Sequence, residues 1–107
     1  MDSSKISAHI KEIASSIFPD IVSVRKWLHM HPELSFKEKE TSKYICSILK
    51  KNNIYFINNI GGYGIVATVK GKNPDSKVIA FRADMDALPI EEQNEVDYKS
   101  IHKGVMH

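Results

Sequence analysis

Val78-Ile79-Ala80-Phe81-Arg82-Ala83-Asp84-Met85-Asp86-Ala87-Leu88-Pro89 is the stretch on which the fold turns. Val78 to Ala83 is apolar but for Arg82, and such a run predicts a strand covered on both faces. Two aspartates follow at its carboxyl end, where open α/β sheets gather their ligands. Working upstream, Ile65 to Val69 reads as a second β-branched strand and Ile54 to Ile57 as a third. Gly61-Gly62-Tyr63-Gly64 between them reads as a hairpin turn. It is not a phosphate loop, because a strand follows it and not a helix N-terminus.

The first half has helical period instead. Ile6, Ile10, Ile13 and Ile17 form one apolar stripe, with Ser3 or Ser4 placed to cap it. Pro19-Asp20 predicts a kink or a fresh helical start. Ile21, Val24 and Leu28 continue the stripe until Pro32 ends it. Ser35-Phe36-Lys37-Glu38 has the form of a capping box for the next helix, with Leu34 as a staple. Tyr44, Ile45, Ile48 and Leu49 give that helix its apolar face, and Asn52-Asn53 stop it. Residues 91–107 read as polar and irregular. Helix, helix, then strands predicts an α/β or α+β class with the helices on a sheet face.

Composition narrows the function classes. The 107 residues are 42% hydrophobic and 26% charged, an ordinary globular balance. Fifteen Lys+Arg against thirteen Asp+Glu leave +2, with no clustered basic face of the kind nucleic-acid binders show. No apolar run reaches the ~18 residues of a membrane span, and no signal-peptide core precedes the first helix. The single cysteine, Cys46, excludes an internal disulfide framework. A soluble, cytoplasmic protein with no nucleic-acid and no membrane partner is expected.

Asp84 and Asp86 carry the strongest chemical signal. At i and i+2 of a continuing strand they point the same way. Paired carboxylates there bind a cation or hold a metal-binding histidine through its second nitrogen. The plainer alternative is an Asp-rich turn in which Asp84 pairs with Arg82. His29 and His31 do not share a helix face. They read as helix-end cations set against the dipole. His102 and His107 fall in the last irregular segment. Cys46 reads as a small buried residue and not a nucleophile, and Tyr44, Phe56, Tyr63 and Phe81 as core.

Three segments together resemble a known family. They are Arg25-Lys26-Trp27-Leu28-His29-Met30-His31-Pro32-Glu33-Leu34-Ser35-Phe36 with Glu38 and Thr41, then Gly62-Tyr63-Gly64-Ile65-Val66-Ala67, then Arg82 to Ile90. They resemble the N-terminal part of M20 metallopeptidases, in the amidohydrolase branch of hippurate, N-acyl-amino acid and indoleacetyl-amino acid hydrolases. The resemblance implies that residues 1–107 are the N-terminal portion of one α/β/α catalytic domain, with an incomplete sheet and without the inserted dimerisation domain. It implies two divalent metal ions (Zn, Mn or Co) in the intact enzyme, a small N-acyl amino acid or peptide substrate, and a homodimer at full length. Asp86 matches the aspartate that stands beside the metal centre and orients a ligand, the catalytic candidate here. Asp84 falls where other branches place a histidine ligand, which makes it a weak metal candidate.

In that branch Gly104-Val105-Met106-His107 runs on into Ala-Cys-Gly-His-Asp, whose Cys and His are ligands. The main ligands and the general base are thus expected beyond His107. A truncated, inactive piece that binds no metal is the expectation. The alternative is a non-enzymatic M20-like interaction module.

Overall fold

The computed structural model describes residues 2–107. Helix α1 runs Ser3–Met30 and α2 Lys39–Lys51, and strands β1 Tyr55–Ile60 and β2 Gly64–Thr68 follow. The two strands form an antiparallel hairpin, with Phe56 opposite Ala67 and Ile57 opposite Val66. The register slips between Ile57 and Ile60, where Asn59 takes a positive φ of 59°. Two glycines make this turn possible. Gly62 sits at φ 112°, which side chains rarely adopt. A Cβ on Gly64 would lie 2.4 Å from the Ile60 carbonyl oxygen.

Helix α2 packs against the hairpin. Tyr44, Ile45, Ile48 and Leu49 are all half-buried, as their spacing predicts, and so are Phe56, Tyr63 and Ile65. Helix α1 meets the rest through its last turns. Trp27 stacks on Tyr44 of α2 with ring centroids 3.7 Å apart and an interplanar angle of 14°. On its other side Trp27 stacks on His31 at 4.2 Å. Every residue from Asp2 to Ile21 is exposed, so the isoleucine stripe exists but touches nothing in this chain.

Three local expectations change. Asp2, not Ser3 or Ser4, caps α1: its carboxylate accepts from the Ser4 amide at 3.4 Å and from the Ser4 hydroxyl at 2.5 Å. Pro19 neither kinks nor restarts α1, which is continuous through it. It lies in the exposed half, where water satisfies the carbonyl that loses its donor. The Ser35-Glu38 capping box does not form. Phe36 takes φ 62°, α2 starts at Lys39, and Glu38 at its N-cap makes no side-chain bond. Glu33 caps α2 from upstream instead.

Val78 to Ala83, expected as a covered strand, forms no strand: it pairs with no neighbour and is not covered. Val78 is 91% exposed, Ile79 80% and Phe81 96%. A strand is a property of its neighbours, and no third strand stands beside it.

The consequence is measurable in surface. The chain exposes 8905 Å², against about 6,000 Å² for a compact monomer of its mass. Its radius of gyration is 16.7 Å, against about 13 Å for a compact domain of this length. Among the described residues, Ala87 and Pro32 are the buried apolar side chains. The sheet is therefore incomplete, as the sequence predicts.

Candidate active site

Three distant segments meet around Asp86. The Ala87 amide donates to the Glu33 carbonyl at 2.8 Å, and Leu34 forms a parallel bridge with Ala87. Leu88 and Met106 form an antiparallel bridge, exchanging hydrogen bonds of 2.9 and 3.1 Å. The turn after α1, the Asp84-Asp86 segment and the Met106-His107 segment are thus laid side by side.

Asp86 is half-buried, and its Oδ2 accepts the Ser35 hydroxyl at 2.5 Å. That bond explains why Ser35 does not cap α2. Asp84 is exposed and pairs with Arg82 at 3.0 Å, the plainer of the two sequence readings. An exposed pair of this kind stabilises by about 0–1 kcal/mol at most. Both aspartates border an open cleft of about 330 Å³, walled by Ser35, Tyr63 and Gly64. His107 lies within the electrostatic reach of Asp86 and His29. Desolvation of its ring lowers its pKa below the ordinary 6.5, the positive field of His29 adds to this, and Asp86 opposes it.

The other signature residues have structural partners. His31 donates from Nδ1 to the Trp27 carbonyl at 2.7 Å, so it closes the helix end as predicted. Glu33 accepts from the Thr41 amide at 2.6 Å, the Thr41 hydroxyl at 2.7 Å and the Glu40 amide at 3.2 Å. A carboxylate there also complements the positive end of the α2 dipole. His29 pairs through Nε2 with Glu92 Oε1, and Tyr98 meets its ring edge-on at 5.6 Å. Glu92 lies 63 residues from His29 in sequence, and no local pattern marks it. Cys46 is half-buried on α2 and reduced.

Among the described residues, no three His, Cys, Asp or Glu side chains converge on a point that would hold a metal. A catalytic zinc needs about three protein ligands.

No protein-family model matches the chain. Individual relatives do. It is 37% identical over 98 residues to an N-acyl-L-amino acid amidohydrolase of Geobacillus stearothermophilus, and the alignment covers 92% of this chain and 26% of that protein. It is 41% identical over 104 residues to thermostable carboxypeptidase 2 of Saccharolobus solfataricus, covering 96% and 25%. Among solved structures it is similar to the Bacillus subtilis YXEP protein, described as a dinuclear metal binding peptidase from the M20 family. There the TM-score is 0.79 at 40% identity, over 87% of this chain and 26% of that one. Over most of its length the chain is thus similar to a member of the M20 family. It spans about a quarter of the length of the relatives it matches. Its two helices and hairpin are a part of the M20 α/β fold.

Proposed function

We propose that this chain is the N-terminal part of a metal-dependent amidohydrolase that cleaves the amide of N-acyl amino acids or related small peptides. One observation carries the reading: sequence and fold agree over 87% of the chain, at 40% identity, with a dinuclear metal binding peptidase. The names of the relatives, an amidohydrolase and a carboxypeptidase, agree on amide cleavage.

Asp86 is the residue of this chain on which the activity depends. Ser35 holds its Oδ2, which leaves Oδ1 to accept a hydrogen bond from the ring nitrogen of a metal-bound histidine. Asp84, tied to Arg82 and exposed, is the lesser candidate for direct ligation. The further ligands, for two divalent ions such as zinc, manganese or cobalt, belong to the remainder of the catalytic domain, as does the general base. The 107 residues alone bind no metal and do not turn over. The full-length protein is a cytoplasmic homodimer acting on small molecules.

The test is hydrolysis of N-acetyl and N-benzoyl amino acids by the full-length protein, before and after exhaustive chelation and on return of each metal. Turnover is expected to vanish and return. Full turnover after chelation refutes the metal-dependent reading, and turnover by the isolated 107 residues refutes its last part. One observation favours a second reading, an interaction module without catalysis: the uncovered Val78, Ile79 and Phe81. Stoichiometric binding through that segment, with no turnover at full length, would select it.

A further inference from the structure

The segment that leaves the cleft at Leu88 returns to it at Met106. Its ends are joined by the two Leu88–Met106 hydrogen bonds, which makes it a closed surface loop. Most of its side chains are polar and exposed, so it has little apolar burial to fix it. One buried charge does so instead. Glu92 is 4% exposed, in a position where acids are found only when paired. Its Oε1 faces His29 Nε2, and its Oε2 accepts the Ser100 amide at 2.6 Å. Beside it the Ile101 amide donates to the Met30 carbonyl at 2.9 Å. Tyr98 lies against the His29 edge, with the Lys26 ammonium 4.8 Å from its ring centroid. The last turn of α1 therefore grips the loop at four places. The Ser100 hydroxyl, donating to the Val105 carbonyl at 2.7 Å, passes that hold to the returning strand.

We propose that His29 and Glu92 are positioning residues for the Asp86 site: their buried pair fixes the loop 88–106, and the fixed loop holds Met106 and His107 alongside Asp86. The proposal rests on the preceding reading of Asp86 as part of the active site. Neither His29 nor Glu92 lines the cleft, so neither touches substrate. Their effect passes through Ser100 and the Leu88–Met106 bridge.

The experiment uses the full-length protein with Glu92→Ala, Glu92→Gln and His29→Gln. Gln at 92 keeps the volume and an acceptor for Ser100, so it folds even where Ala does not. Amide exchange at Leu88, Ser100 and Met106 is expected to quicken about tenfold or more in Glu92→Ala, with α2 amides unchanged. Turnover, kcat, is expected to fall about tenfold to a hundredfold, as small misplacements in an active site do. KM should stay within about twofold. Glu92→Gln should recover part of both effects. Unchanged exchange at Met106, or quickening of equal size in α2, overturns the proposal. So does a loosened loop with unaltered kcat. If the wild type turns over none of the substrates, the hydrolase reading fails while exchange still decides whether the pair holds the loop.

Discussion

Removing the Glu33 carboxylate should undock α2. The oxygens of Glu33 take the Thr41 amide, the Thr41 hydroxyl and the Glu40 amide at 2.6, 2.7 and 3.2 Å. Thr41 is 1% exposed, so water does not replace the lost partner. Loss of a helix N-cap costs about 1 kcal/mol. A buried hydroxyl left unpaired costs about 1–3 kcal/mol more. Glu33→Ala is therefore expected to destabilise by about 3 kcal/mol, the sum of these two effects. With a urea slope of about 1.5 kcal/mol per molar, the midpoint drops by about 2 M. Trp27 is the single tryptophan and stacks on Tyr44 of α2, so its fluorescence reports the docking directly. Glu33→Gln keeps one acceptor oxygen and should fall between. A Glu33→Ala midpoint within about 0.3 M of wild type would refute the reasoning, because it would mean that Thr41 finds other partners.

Three further outcomes are expected. In the full-length protein, Asp86→Ala should lower turnover by about a hundredfold, the scale for loss of a ligand-orienting carboxylate; unfolding should stay cooperative, and retained activity with lowered stability would make Asp86 structural. The Glu92 carboxyl is held below the ordinary 4.5 by its hydrogen bond with His29, against desolvation and with help from the Ser100 amide. Its contribution to stability is thus present above 4.5 and lost as pH falls through the lower folded value, so the wild-type and Glu92→Gln unfolding curves should converge in acid and separate above that range, where a constant offset would count against the pair. The isolated 107 residues should self-associate through the uncovered Val78-Ile79-Ala80-Phe81 edge, and Phe81→Lys should reduce this; a monomer at all concentrations in sedimentation would contradict it.

Both helices, the hairpin and its glycine turn were legible from period and turn chemistry alone. Those are local properties: an isoleucine every third or fourth residue, and a turn that needs positive φ at Gly62. Pro32 ended α1 where the backbone rule places the end. The Arg82–Asp84 pair was also legible, because opposite charges two residues apart are within reach of each other. Val78 to Ala83 reads as a covered strand but forms none, since strand pairing and cover depend on neighbours that nothing in that segment specifies.

The sequence by itself determined which segments are helical, where the hairpin turns, and that Asp86 belongs to a recognisable motif. Only the tertiary structure decided what the charged signature residues do. Ser35 and Glu38 satisfy the local rule for a capping box, yet Ser35 bonds Asp86 across 51 residues and Glu33 caps α2 in its place. Glu92 looked like one acid among several in a polar tail, and the fold buries it against His29. The physical reason is the same in each case. A hydrogen bond between side chains is fixed by position in space, and segments far apart in sequence share a position only after the backbone bridges at Leu34–Ala87 and Leu88–Met106 have formed.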